Sequence, residues 1–200
     1  FAQATANIGL LGAILPITEQ QLDDVPQLAA LVNQRLVLMA RKKRSYAFIN
    51  ANTSGGVVGF LSTASIDTQA QGTDPAIDAI YKGMIGIAVD GGATCTNCVI
   101  HPLDWQGFKL TRTIDGIYLW GSPSDVGVDR IWGCPVTQTT DISQGTALLG
   151  DFPGYSQIAN KAAVTVEVGR NGTDFAEVQY TARVITRAGL VVYRPQAFST

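Results

Sequence analysis

Hydrophobic residues change period several times along this chain, and each change predicts an element. Ala6 to Ile17 is apolar and glycine-spaced and ends at Pro16, which suits an extended arm or strand better than a helix. Thr18 with Gln21 and Asp24 with Gln27 have capping-box spacing, so two helix starts sit close together. From Pro26, Leu28, Leu31, Val32, Leu36 and Met39 recur at helical spacing, and the pattern continues through Ala47. This predicts one long amphipathic helix. Arg41, Lys42, Lys43 and Arg44 fall in its later half, where cations near the end favour the helix dipole. The basic run reads either as a solvated face or as a contact with nucleic acid or an acidic neighbour.

The Gly/Ser/Thr-rich stretch from Asn52 to Gly59 predicts a turn and a subdomain boundary. Asp74-Pro75 opens a second helix carrying Ile77, Ile80, Tyr81, Met84, Ile85 and Ala88, which stops near Asp90-Gly91-Gly92. Cys98 to His101 predicts a short buried strand, and Trp105 to Leu110 a short helix. Gly116 to Gly121 and Arg130 to Val136 predict further short strands. Ala163 to Val168 alternates in β fashion toward a turn at Asn171-Gly172. A long strand follows from about Phe175 to Thr186, with Val178, Tyr180, Ala182 and Val184 on one face and Glu177, Gln179, Thr181 and Arg183 on the other. Helices alternating with short strands argue an α/β or α+β core in the middle of the chain.

Composition narrows the function. The 200 residues suffice for one large domain or two modest ones. A net charge of -2 and a pI near 5.3 argue against a histone-like or repressor-like protein. Charged residues make up 15% of the chain, against roughly 25% in ordinary soluble domains. Extensive subunit packing would account for this depletion, as would a monomeric β-rich protein with a Ser/Thr/Gln surface. No apolar run approaches the length of a membrane span. The start at Phe1, without Met or a basic leader, suggests processing or trimming before that point.

The candidate chemistry is sparse. Cys95-Thr96-Asn97-Cys98 could be a redox pair or half of a zinc site, with Cys134 and His101 as the remaining ligands. A thioredoxin-like pair would open a helix after a strand, whereas this one precedes a strand. Unreactive thiols, a disulfide and a metal site all stay open. Three cysteines are too few for a disulfide framework. His101, the single histidine, would have to be the base of any nucleophilic mechanism, yet no Gly-x-Ser-x-Gly elbow accompanies it. Gly55-Gly56 and Gly91-Gly92 lack phosphate-loop patterns. Asn52-Thr53-Ser54 and Asn171-Gly172-Thr173 match the glycosylation tripeptide, a pattern common by chance. Asp104, Asp115, Asp125, Asp129 and Asp141 show no metal-loop spacing. No catalytic, cofactor-binding or metal residue is assigned, and no enzyme is predicted.

From Val99 onward the order of passages resembles the major capsid protein family of tailed bacteriophages, with its Hong Kong 97-type shell fold. Val99-Ile100-His101-Pro102-Leu103-Asp104-Trp105 looks like its strand-then-helix passage, and Asp115-Gly116-Ile117-Tyr118-Leu119-Trp120-Gly121 like its Gly-aromatic strand. Trp132-Gly133-Cys134-Pro135-Val136 is similar to its Trp-Gly-x-Pro-Val passage, and Leu149-Gly150-Asp151-Phe152 to its Gly-Asp-Phe turn. The strand Ala163 to Val168 and the close at Tyr193-Arg194-Pro195-Gln196-Ala197-Phe198 follow in the family's order. Upstream, Ile17 to Arg35 resembles the entry to the family's spine helix, and Gly55 to Leu61 the turn after it.

The resemblance implies an α+β fold of two subdomains. A peripheral domain, with a long spine helix and a long β-hairpin, would take residues 18–58 and 150–192. An axial α/β domain would take 59–149 and 193–200, and 1–17 would be a remnant of an extended loop. The implied function is a structural subunit that self-assembles into pentamers and hexamers around packaged double-stranded DNA. The DNA would be held non-specifically on the inner face. Scaffold, portal or cement proteins are implied partners, with no membrane. The implied place is the virion capsid, after synthesis in the bacterial host cytoplasm. The N-terminal arm and most of the extended loop would lie outside these residues, so this length of chain would assemble poorly alone. Val178 and Ile185 stand where cross-linking members carry an Asn acceptor and a Glu helper, which argues against isopeptide linkage. The alternatives are an encapsulin-like compartment shell and, from another class, a thiol or zinc enzyme using Cys95, Cys98 and Cys134.

Overall fold

The computed structural model describes residues 7–24, 28–51, 56–118, 120 and 129–200. In chain order the strands are β1 Gly9–Thr18, β2 Asn97–Ile100, β3 Arg130–Ile131, β4 Cys134–Gln138, β5 Ala147–Gly150, β6 Ser156–Gly169, β7 Gln179–Val192 and β8 Phe198–Ser199. The α-helices are α1 Glu19–Asp24, α2 Leu28–Asn50, α3 Ala76–Val89, α4 Pro102–Lys109 and α5 Phe152–Tyr155. Two compact units result, one from Phe1–Gly59 with Ile158–Leu190 and the other from Phe60–Gln157 with Val191–Thr200. Residues 150–157 and 191–192, which the sequence suggested for a peripheral domain, group with the second unit.

In the first unit, β7 lies between β1 and β6, and β1 pairs antiparallel with β7 from Gly9↔Ala188 to Thr18↔Gln179. Period-two alternation buries Ala182, Val184, Thr186 and Ala188 of β7. Ala182 and Val184 pack with Ile17 of β1 and with Val32, Leu36 and Ala40 of α2. Sequence periodicity found this helix and two residues of its buried face, Val32 and Leu36, but also counted Leu31 and Met39, which face outward. The buried row advances by four residues, Val32-Leu36-Ala40, and continues at Ala47-Phe48, while Leu31 and Met39 are exposed. A narrow sheet accepts only one such row, so the remaining apolar positions face outward. The basic run also sits further from the helix end than expected, since α2 continues to Asn50 with no basic residue in its last turn. The dipole therefore gives these cations little stabilisation.

Gly59 turns the chain off the end of α2, its N–H donating to the Ala51 carbonyl at 2.8 Å. A Cβ there would meet Ala47 O, Ala51 N and Ile49 C within 2.7–2.8 Å, so only glycine fits. At the far end of the sheet the expected tight Asn-Gly hairpin is a longer connection, with a 3-10 turn at Gly172–Phe175. Asp174 accepts from the Asn171 amide at 2.9 Å and from the Thr181 hydroxyl. Val178 then takes φ 53, and its carbonyl accepts from Glu19 N at 3.1 Å. The ladder consequently begins at Gln179 rather than Phe175.

The second unit is a mixed sheet of order β3-β4-β2-β5-β8. β2 runs parallel to β4, with Cys98 opposite Val136, and antiparallel to β5. α3 packs on β5 and β8, burying Ile80, Gly83 and Ile87. Tyr81, Ile85 and Ala88, which the spacing set on one side with Ile80, are exposed. Gly83 lets Leu149 and Ser199 approach the helix closely, which rotates the seam toward the small residue. His101 caps α4, its Nδ1 accepting from Leu103 N at 3.2 Å, with Pro102 next. Phe60, Phe152 and Phe198 form an aromatic cluster with centroids 5.0–5.4 Å apart. Thr200 N donates to Asp67 O, and Gln69 N donates to Thr200 O, both at 2.9 Å.

Two strand expectations are corrected here. Arg130 to Val136 is a hairpin, β3 and β4, turning at Trp132 (φ 50) and Gly133 (φ 82). Two successive positive φ angles match the twist of adjacent antiparallel strands. Arg112–Tyr118 is an isolated bridge closing a turn, while Leu119 and Gly121 of the expected strand lie outside the described residues.

Candidate functional site

The three cysteines are all free, yet the fold brings two together across the parallel strand pair. Cys95 Sγ lies 3.1 Å from Cys134 Sγ, and Cys95 also donates to the Asn97 carbonyl at 3.4 Å. The Cys134 hydrogen bond, supported by the Gly150 and Asn97 backbones, holds the Cys95 thiol down to about 7 against the effect of burial. Cys134 is pushed up for the complementary reason, and burial pushes up Cys98. Nothing in the spacing foretold the Cys95–Cys134 contact. The signal was Trp132-Gly133, a turn that places Cys134 at the head of β4.

His101 serves as a helix cap, a role its position before Pro102 suggested. Asp104 accepts from Gly145 N at 2.7 Å. Asp129 accepts from Trp105 Nε1 and Gln138 Nε2, each at 3.0 Å, and pairs with Lys109 at 2.8 Å. Asp115 lies exposed in the turn before Gly116. Asp141 N donates to Thr139 Oγ1, whereas Asp125 and Asn52 lie outside the described residues. Among the described residues no three His, Cys, Asp or Glu side chains come close enough to hold a metal ion. No helix among them is long and apolar enough to cross a membrane.

A cavity of about 740 Å³ opens in the second unit, lined by Ile80, Ile100, Leu103, Phe108 and Leu149, with Asp104 as its one titratable residue among those described. That carboxylate is already engaged, so the lining presents no acid–base pair.

Apolar surface is more informative. Tyr81, Ile85 and Val89 form an exposed row on α3, with Ile85 47% accessible. Trp132, 54% accessible, stacks on Tyr81 at 4.9 Å and donates to Ile77 O at 3.2 Å. In the first unit, Leu31, Leu38 and Met39 of α2 are exposed. Arg41, Lys42 and Lys43 are exposed beside them and Arg44 is half-buried. Val178 lies just before β7 and Ile185 in its middle, and neither side chain offers a group for an isopeptide bond.

The arrangement of a spine-like helix on a three-stranded sheet, joined in chain to a mixed-sheet unit, defines a class. Among solved structures it is similar to Gordonia phage Cozz at TM-score 0.78 and 14% identity, covering 98% of this chain and 70% of that one. It is similar to the capsid of an empty GTA particle at TM-score 0.73 and 19% identity, covering 98% and 73%. A virus-like particle from Pyrococcus furiosus gives 0.65 and 16%, covering 96% and 75%. The fold is therefore the Hong Kong 97-type capsid fold.

The Phage capsid family matches residues 1–200, and the chain belongs to that family. The major capsid protein of Enterobacteria phage HK97 is 28% identical over 200 residues, 98% of this chain. The chain spans about half the length of that relative, 52%.

Proposed function

We propose that this chain forms part of a structural subunit that self-assembles into pentamers and hexamers of an icosahedral phage shell enclosing double-stranded DNA. The observation that carries this reading is the exposed apolar row on α3, extended by Trp132, in a member of a capsid family. Apolar patches left open on a subunit mark contacts with other chains, and low overall charge fits many such contacts. Identical subunits meeting through different patches close into rings when the rotation permits. Rings joined through further patches gain stability from multiplicity. In this reading the second unit is the axial domain around the ring axis and the first is the peripheral domain. Arg41, Lys42, Lys43 and Arg44 would meet DNA non-specifically on the inner face. Scaffold, portal and cement proteins would be further partners, and synthesis would take place in the host cytoplasm.

The likeness to the Pyrococcus particle favours an encapsulin-like compartment as the second reading, but the family match supports the phage reading more directly. Electron microscopy of the full-length protein expressed alone, with native mass spectrometry, separates the outcomes. Closed shells or five- and six-membered rings are expected, and a strictly monomeric protein under assembly conditions overturns the proposal.

A further inference from the structure

Cys95 and Cys134 are distant in sequence and touch in space. Cys95 lies two residues before β2, and Cys134 opens β4, its parallel neighbour. Their sulfurs are 3.1 Å apart, so a shift of about 1 Å reaches the bonding distance. Cys95 is half-buried and accessible to a small reagent, whereas Cys134 is buried behind it. Cys98, the sequence neighbour that makes a Cys-x-x-Cys pair, is fully buried in β2. We propose that Cys95 and Cys134 form an intrachain disulfide, with Cys95 as the entry thiol and Cys134 as the resolving thiol for a small disulfide oxidant such as oxidised glutathione.

The chemistry balances in two exchanges. The Cys95 thiolate attacks one sulfur of the oxidant, the oxidant's S–S bond breaks, and one thiolate leaves and takes a proton. Cys134 then loses its proton to solvent and attacks Cys95 Sγ in the mixed disulfide, releasing the second small thiol. Two protein thiols are oxidised by two electrons and the oxidant is reduced to two thiols. The lowered Cys95 thiol suits the first step at neutral pH.

The bond would close the crossover between the two parallel strands, a separation of 39 residues. A parallel pair has no short turn to hold its ends together, so a covalent closure there removes freedom from the unfolded chain. This inference concerns one subunit and stands whether or not shells form.

The test is incubation of the reduced full-length protein with millimolar oxidised glutathione, then alkylation in denaturant, intact mass and peptide mapping. Free thiols are expected to fall from three to one per copy of these residues, with Cys98 alkylated and Cys95 linked to Cys134. The unfolding temperature should rise by roughly 5–10 °C. Cys98→Ser should keep the link and the shift, and Cys95→Ser or Cys134→Ser should lose both. Three alkylatable thiols after oxidation, a stable glutathione adduct without the link, a bond to Cys98 or a bond between chains would each overturn the proposal.

Discussion

The Cys95 thiol, held down to about 7 by its hydrogen bond with Cys134, has an environment that sets a pH signature. The titratable groups facing it are Cys134, Cys98 and Asp151; Cys134 lowers its pKa by hydrogen bonding and Asp151 opposes this. A lowered thiol is ionised above its pKa, so its alkylation rate should be half-maximal near pH 7 and level above that. An ordinary cysteine keeps accelerating through about pH 8.5. Residue-resolved alkylation by mass spectrometry checks this, and Cys134→Ala should move the midpoint upward. A midpoint unmoved by that change would remove the hydrogen bond as the cause. At this scale the sequence offered residue types but not partners. His101 was legible because Pro102 follows it, a local relation, whereas Cys95 and Cys134 meet only through pairing of strands.

Elements were legible where period and caps agree. Thr18 and Asp24 flagged two helix starts, and α1 and α2 begin at Glu19 and Leu28. Which face of α2 is buried was only partly legible: Val32 and Leu36 were picked out, but apolar residues occupy several rows and the receiving sheet selects one. Leu36, fully buried against Val184, should therefore cost about 2–5 kcal/mol when replaced by Ala. Leu38→Ala, at an exposed position, should stay within about 0.5 kcal/mol. Chemical denaturation of the two variants makes the comparison, and equal losses would reject the four-residue row as the seam. The β3–β4 hairpin escaped sequence reading because its turn uses Trp132 at positive φ, a conformation usually signalled by Asn, Asp or Gly. Stacking on Tyr81 and the indole bond to Ile77 offset that strain.

Across the whole molecule, family resemblance carried the fold further than periodicity alone could. The Trp-Gly-x-Pro-Val and Gly-Asp-Phe passages sit at β3–β4 and at the β5–α5 junction, positions that no local pattern specifies. Which surfaces stay open depends on three-dimensional packing, so the sequence could not separate the exposed Tyr81 and Ile85 from the buried Ile80. Ile85→Lys tests its role in assembly. The variant should fold with stability within about 0.5 kcal/mol of the parent, since the position is exposed, yet form no rings or shells by native mass spectrometry. Shells of parental yield would exclude this row as a contact.

The strand order β3-β4-β2-β5-β8 also has a temporal side. β8 pairs with β5, and β7 occupies the middle of the other sheet. On the ribosome, neither sheet can be completed until β7, and then Phe198–Ser199, have been made. Surfaces supported by those sheets cannot take their final form before β8 has emerged, so the order of translation sets the order in which this fold matures.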